Sequence, residues 1–128
     1  MLDYLQTALN EIGTNDQKRI TEYLRSVGLP YPNNWCAAFV NWCLNQNDYM
    51  GINNGLARSF LNWGYRIEEP KLGCIVVLTR GVIKWQGHVG FWLDEYGGLV
   101  RLLGGNQKGR VGINSYVSKR IIEYRLPG

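Results

Sequence analysis

A chain of 128 residues, 45% apolar and 19% charged, has the length and composition of one globular domain spanning 1–128. No run approaches the ~20 apolar residues of a membrane span, so no stable membrane insertion is expected. The net charge of +4 suits an anionic partner such as cell wall, nucleic acid or lipid headgroups without choosing among them. The bases are scattered as a solvated surface scatters them, so no nucleic-acid partner is expected, and the domain is expected to be monomeric.

The opening Met1-Leu2-Asp3-Tyr4 lacks the basic start and apolar core of a signal peptide. The expectation is synthesis in the cytoplasm, with something else carrying the protein to any place of action outside it. Leu5, Ala8, Leu9 and Ile12 recur at helical spacing, which predicts a helix over 3–12 closed by Gly13. Asn15-Asp16 opens a second helix bearing Ile20, Tyr23, Leu24 and Val27, stopped at Gly28 and Pro30. Both read as scaffold.

The turn-prone Pro30-Tyr31-Pro32-Asn33-Asn34 then gives way to Trp35-Cys36-Ala37-Ala38-Phe39-Val40-Asn41-Trp42-Cys43. This is a helix over roughly 36–46, apolar nearly all round and therefore buried on most sides. Asn33 or Asn34 is the expected N-cap. A thiol at that junction lies at the positive end of the helix dipole, which favours the nucleophilic thiolate. Small Ala37 and Ala38 leave room for a substrate. Taken alone, Cys36 reads as core, the commonest place for a cysteine. Its weight comes from the rest of the chain.

Leu56 to Trp63 predicts a short fourth helix ending at Gly64. From Pro70 the periodicity changes to that of strands: 75–78, 88–93, 99–103 and 121–126, with a turn at 94–98 and a loop at 79–87. Helices first and an antiparallel sheet second is an α+β layout.

His88 is the only histidine. A thiol nucleophile needs a base that titrates near neutrality, so if the chain is a cysteine hydrolase with an ordinary dyad, His88 is the base by elimination; a lone histidine otherwise reads as a satisfied surface or core residue. A hairpin turning near 96–97 makes cross-strand partners sum to about 193, within two. His88 then faces 104–107, where Asn106 or Gln107 could accept its ring N–H and fix the tautomer. The register cannot separate the two. The Cys36 backbone N–H is a natural oxyanion donor, with Tyr31, Asn33 or Asn34 for a second. Trp35, Trp63 and Trp85 adjoin loops and could line a groove. Cys36 and Cys43 lie about 10 Å apart along one helix. That is too far for a shared zinc, whose sulfurs need about 4 Å, or for a disulfide, which needs Cα atoms within ~7 Å. Cys43 reads as core.

Four motifs occur in order: Trp35-Cys36-Ala37-Ala38-Phe39-Val40-Asn41-Trp42, Ala57-Arg58-Ser59-Phe60-Leu61-Asn62-Trp63-Gly64, Gly87-His88-Val89-Gly90-Phe91 and Leu103-Gly104-Gly105-Asn106-Gln107. Together they resemble the NlpC/P60 and CHAP group of papain-like cysteine hydrolases over about 8–126. The likeness is to a subgroup found among phage lysis proteins and secreted antibacterial effectors. It implies a papain-like fold with N-terminal helices on a small antiparallel sheet and the nucleophile at the start of a central helix. It implies hydrolysis of peptidoglycan amide or peptide bonds, as an endopeptidase or an N-acetylmuramoyl-L-alanine amidase. Cys36 would be nucleophile, His88 base and Asn106 the polar third member. Beside the resemblance, Tyr31, Trp35, Trp85 and Gln107 are expected toward substrate, with no metal or cofactor needed. Gly73-Cys74 stands where the family usually has Gly-Asp. The alternatives weighed are a papain-like protease or acyltransferase acting on protein, and a non-catalytic wall-binding module. A lysis enzyme would be released to the cell wall. An effector would be delivered there and would imply an immunity protein plugging the cleft.

Overall fold

In the computed structural model, which describes residues 2–128, helix α1 (Asp3–Asn10) buries Tyr4, Leu5 and Ala8. Met1, part of the N-terminal stretch read above, lies outside the described residues. Helix α2 (Gln17–Arg25) starts where Asp16 accepts the Arg19 N–H at 3.0 Å, and it buries Ile20, Tyr23 and Leu24. Helix α3 (Cys36–Asn45) is enclosed almost completely, as its apolar circumference requires. Its start differs from expectation. Trp35 occupies the N-cap position without a side-chain cap, while the Asn34 side chain reaches the Cys36 N–H only at 3.5 Å and the Asn34 backbone N–H donates to Asn33 Oδ1 at 3.0 Å. The fourth helix is a 3-10 segment, Ala57–Asn62.

Six strands follow: β1 (Tyr65–Ile67), β2 (Ile75–Thr79), β3 (Gly87–Tyr96), β4 (Leu99–Gln107), β5 (Arg110–Val117) and β6 (Ile121–Leu126). They form one antiparallel sheet in the order β1-β6-β2-β3-β4-β5. The β3–β4 hairpin turns at Gly97-Gly98, both with positive φ, the conformation that matches strand twist in a two-residue loop. Its partners sum to 194 (Phe91↔Leu103) and, past a bulge, 195 (Asp94↔Arg101), inside the expected window. Two strands were not anticipated. β1 has three residues, and β5 is an edge strand whose only fully buried position is Val111.

The sheet separates two apolar clusters. Ile75, Val77, Val89, Phe91 and Leu103 face the helices and join Phe39, Val40 and Tyr23 in the main core. Cys74, Val76, Leu78, Val100 and Leu102 pack on the opposite face. Cys74 is thus a buried apolar residue of that second cluster, and burial pushes its thiol up to about 11.

Two close approaches shape what lies above α3. Asn41, buried inside α3, donates to Ala37 O at 3.0 Å and Asn54 O at 3.3 Å and accepts from Asn53 N at 3.1 Å. It clamps the 51–55 loop onto the helix. Gly105 lies flat against α3: a Cβ there would meet Phe39 Cβ at 2.6 Å and the Trp35 ring at 2.8 and 2.9 Å. Gly105→Ala is therefore expected to destabilise the domain by about 1–3 kcal/mol, the usual cost of overpacking. Gly112→Ala, whose Cβ would find its nearest atom at 3.8 Å, serves as the matched control. Urea unfolding of the pair checks this, and equal midpoints would contradict the packing argument.

Candidate active site

Cys36 is the first residue of α3, and its sulfur lies against the backbone N–H of Val89, the residue after His88 on β3. His88 pairs with Leu78 across the β2–β3 ladder, and α3 packs against β3. Arg58, from the 3-10 segment, donates its Nε–H to Gln86 O and pins the loop immediately before β3. The likeness to the second sequence motif acquires a physical sense there: it sets where His88 begins.

The polar partner of His88 is Gln107. Gln107 Oε1 lies 2.9 Å from His88 Nε2. The same amide donates to Leu102 O at 3.1 Å and Gly112 O at 2.7 Å. With both N–H bonds of the amide committed to backbone carbonyls, only its carbonyl can face the ring. His88 Nε2 must therefore carry the proton, and Nδ1 is the ring nitrogen with a free lone pair. Asn106 makes no hydrogen bond to the histidine ring. Its Nδ2 donates to Asn34 Oδ1 at 3.1 Å, and its backbone is left-handed at φ 56°. The cause is a break in the β4–β5 register between Gly104 and Gln107. Such a bulge re-aims side chains, here carrying Asn106 toward Asn34 and Gln107 inward. Gly104 leaves room for this, since a Cβ there would sit 2.7 Å from Gln107 Oε1.

Other expectations need correction. Gln107 is 2% exposed with its amide fully engaged, so it is not placed to touch substrate. Trp35 is buried, stacked on Tyr23 with ring centroids 5.7 Å apart, and is core rather than groove. Trp63 is buried as well, donating its indole N–H to Met50 O. Tyr31 is exposed on the loop before α3 and, among the described residues, is not one of those lining the two cavities described next. Trp85 is 63% exposed and does line a cavity.

That cavity, about 550 Å³, runs along Leu29, Asn34, Asn54, Leu56, Arg80 and Trp85. A second, about 180 Å³, is lined by Asn34, Arg80, His88, Asn106, Tyr116 and Arg120. Asn34 and Arg80 line both, which makes the two neighbouring arms of one cleft; Cys36, two residues after Asn34, is 2% exposed and lines neither. Tyr116, on the unanticipated β5, places its hydroxyl 3.2 Å from His88 Nε2 and its ring 5.2 Å from the imidazole, centroid to centroid.

The electrostatics differ from the dipole argument. Burial pushes the Cys36 thiol up; the Val89 and Ala37 amides and Arg80 oppose this without overcoming it. Burial lowers His88 to about 4; the Gln107 carbonyl works against the shift, and Arg120 and Arg80 add to it. The resting pair is thus a neutral thiol and a neutral imidazole. A stability consequence follows. Between pH 6.5 and about 4 the unfolded chain binds a proton at His88 that the folded chain does not. Stability from this group is fully present above pH 6.5 and falls as pH drops through that window, by on the order of 3 kcal/mol. Thermal melts across pH 4–8 should show a decline that His88→Asn flattens; parallel profiles would refute it.

The profile of the CHAP domain matches residues 27–106, more than half of the chain. The chain belongs to the CHAP domain family. Among solved structures, this CHAP domain is similar to the wild-type endolysin LysIME-EF1, with a TM-score of 0.64 at 13% identity over 98% of this chain and 62% of that one. It is also similar to a lipoprotein-like protein of the NLP/P60 family from Staphylococcus aureus, with a TM-score of 0.51 at 16% identity over 91% of this chain and 44% of that one. The CHAP domain therefore spans less than two thirds of either neighbour. At these identities the likeness shows a shared fold, the α+β papain-like one expected from the motifs. A search of curated proteins returns no match.

The family match takes in Cys36, His88 and Asn106 but ends before Gln107, Tyr116 and Arg120. Those last residues complete the surroundings of His88 in this CHAP domain. Sequence reading missed Tyr116 because β5 is half-exposed and carries almost no apolar alternation. It missed Arg80 and Arg120 because isolated bases look like surface. Among the described residues no group of acidic, histidine and cysteine side chains is arranged to hold a metal, and no helix is long and apolar enough to cross a membrane.

Proposed function

We propose that this CHAP domain, acting as a single unit over 1–128, hydrolyses an amide or peptide bond of bacterial peptidoglycan, with Cys36 as nucleophile and His88 as base. The observation that carries the reading is the committed amide of Gln107, which holds a proton on His88 Nε2 and leaves Nδ1 with a free lone pair, supporting His88 as base in a cavity that it lines with Asn34 and Asn106. Membership of the CHAP family and the fold shared with an endolysin support peptidoglycan as the substrate.

The reaction starts from the neutral pair. As Cys36 Sγ attacks the carbonyl carbon, its proton passes to His88 Nδ1, and Gln107 Oε1 stabilises the resulting imidazolium through Nε2–H. The backbone N–H of Cys36 faces the developing oxyanion. Nδ1–H then protonates the departing amine as the C–N bond breaks, leaving a thioester on Cys36. A water, deprotonated by Nδ1, adds to the thioester; its collapse releases the acid and returns the proton to sulfur. No metal or cofactor enters these steps.

An endopeptidase and an N-acetylmuramoyl-L-alanine amidase would run the same steps and differ in the bond presented. The domain acts at the cell wall, as a lysis enzyme or a delivered effector. The effector role carries with it an immunity protein that fills the cleft. Digestion of purified peptidoglycan, with products resolved by mass spectrometry, tests the reading. New fragments with the wild type and none with Cys36→Ala support it, and the masses name the bond. No fragments from folded wild-type protein would rule it out in favour of transfer, a protein substrate or a binding module.

A further inference from the structure

We propose that the smaller arm of the cleft is a carboxylate subsite, in which Arg80 and Arg120 hold an anionic group of the substrate beside His88. The inference deepens the hydrolase reading and rests on it for the identity of the substrate.

The lining of this arm holds two guanidinium groups, two amides, a phenol and the imidazole, and no carboxylate. Neither arginine takes part in an ion pair among the described residues, although the ion pairs that do form engage Arg19, Arg66, Arg101 and Arg125. Arg120 is held in place without being neutralised. Its Nε and Nη2 donate to Thr79 O at 3.1 and 2.8 Å, and its guanidinium lies 5.3 Å from the centroid of the Tyr116 ring. Nη1 has no partner among the described residues, which leaves a preset donor beside the cavity. A fixed guanidinium is suited to a planar oxygen pair. A volume near 180 Å³ admits a carboxylate on a short stem, well under the roughly 300–1,000 Å³ of pockets that take whole drug-sized ligands.

Two cations beside a base that must become cationic oppose catalysis when the arm is empty, and both lower the basicity of His88. An anion seated between them reverses the sign of that field just as the imidazolium forms. Substrate charge then contributes to the rate as well as to binding. The larger arm offers Leu29, Leu56 and Trp85 to an uncharged portion of the substrate, and Arg80, shared by both arms, stands at their junction. The substrate so described bears a free carboxylate within about one residue of the scissile amide. In a peptidoglycan stem that charge comes from a glutamyl α-carboxyl or from a terminal carboxyl.

The probes are four alanyl-γ-glutamyl-lysine peptides, with the glutamyl α-carboxyl and the C-terminal carboxyl each free or converted to the carboxamide. Binding is measured calorimetrically on Cys36→Ala protein, which cannot turn the peptide over. One of the two carboxyls is expected to tighten binding at least about tenfold, and the pattern across the four peptides says which. Adding Arg80→Gln should remove that preference, so that the free-carboxyl peptides bind no tighter than their amidated counterparts. Because Arg120 also braces Thr79, Arg120→Lys is the second variant: it keeps the charge, loses the fork, and should reduce the preference in part. Equal affinity for all four peptides, or a preference that survives Arg80→Gln, overturns the subsite. Digestion of whole peptidoglycan by the wild type separates the two readings. Cleavage without carboxylate discrimination leaves the hydrolase and removes the subsite; discrimination without cleavage does the reverse.

Discussion

Cys36→Ala is expected to lower fragment release from purified peptidoglycan by three orders of magnitude or more, with little change in stability. The attack has no substitute atom, since Cys43 lies seven residues further along α3 in the main core and Cys74 in the cluster on the opposite face of the sheet. Removing a nucleophile that works as a unit with its base eliminates nearly all of the catalysis the unit provides. The fold should tolerate the change. Cys36 is followed by Ala37 and Ala38 in a helix packed on nearly every side, and deleting one sulfur at its first turn leaves a small buried void, costing on the order of 1 kcal/mol. Cys36→Ser is expected to be nearly as inactive. A hydroxyl holds its proton far more tightly than a thiol, and the lowered basicity of His88 cannot remove it. Turnover by mass spectrometry, paired with a melting curve, separates loss of chemistry from loss of fold; residual activity above about a tenth in the alanine variant would remove Cys36 from its role.

Gln107→Ala and Asn106→Ala should diverge, and the divergence decides which residue orients the base. Gln107→Ala removes the acceptor for His88 Nε2–H and strands the Leu102 and Gly112 carbonyls. The imidazole is then free to rotate or to place its proton on Nδ1, the nitrogen that must accept from the thiol. A wrong tautomer of this kind costs about 10²–10⁴ in kcat. The unsatisfied buried groups add about 2–4 kcal/mol of destabilisation. Asn106→Ala loses one hydrogen bond, to Asn34, and places alanine at φ 56°. That is a cost of about 1–2 kcal/mol from backbone strain, with activity held within about tenfold. Asn106→Gly, which accepts the positive φ, should recover most of that stability. To keep misfolding out of the comparison, kcat is read well below each variant's melting temperature, alongside the ring-nitrogen NMR shifts of His88. A variant pair with the ranking reversed would return the orienting role to Asn106.

Local signals carried much of the architecture. The 3.6-residue spacing of Leu5, Ala8 and Leu9, and of Ile20, Tyr23 and Leu24, specifies α1 and α2 because amphipathic periodicity is a property of a dozen consecutive residues. The all-round apolar run from Cys36 to Leu44 marks a buried helix for the same reason. Gly97-Gly98 sets the β3–β4 hairpin, and the hairpin brings His88 to within two positions of its partner by arithmetic alone. Cys36 and His88 stand out as candidates in the sequence because their chemistry is scarce: one histidine, and one cysteine at a loop-to-helix junction.

What the chain order does not contain is the outcome of contacts between distant segments. β6 slots between β1 and β2, and β5 closes the far edge, through hydrogen bonds to strands that leave little trace in an edge strand's side chains. The choice between Asn106 and Gln107 rests on a register break in β4–β5, one residue of slippage that redirects every side chain after it. The charge state of Cys36 and His88 is set by burial, which outweighs the helix dipole once the sheet covers the first turn of α3. Trp35 became core and Arg80 and Arg120 became cavity walls for the same reason. Burial and proximity to a titrating group depend on the whole packed chain, and a side chain's identity alone does not specify them.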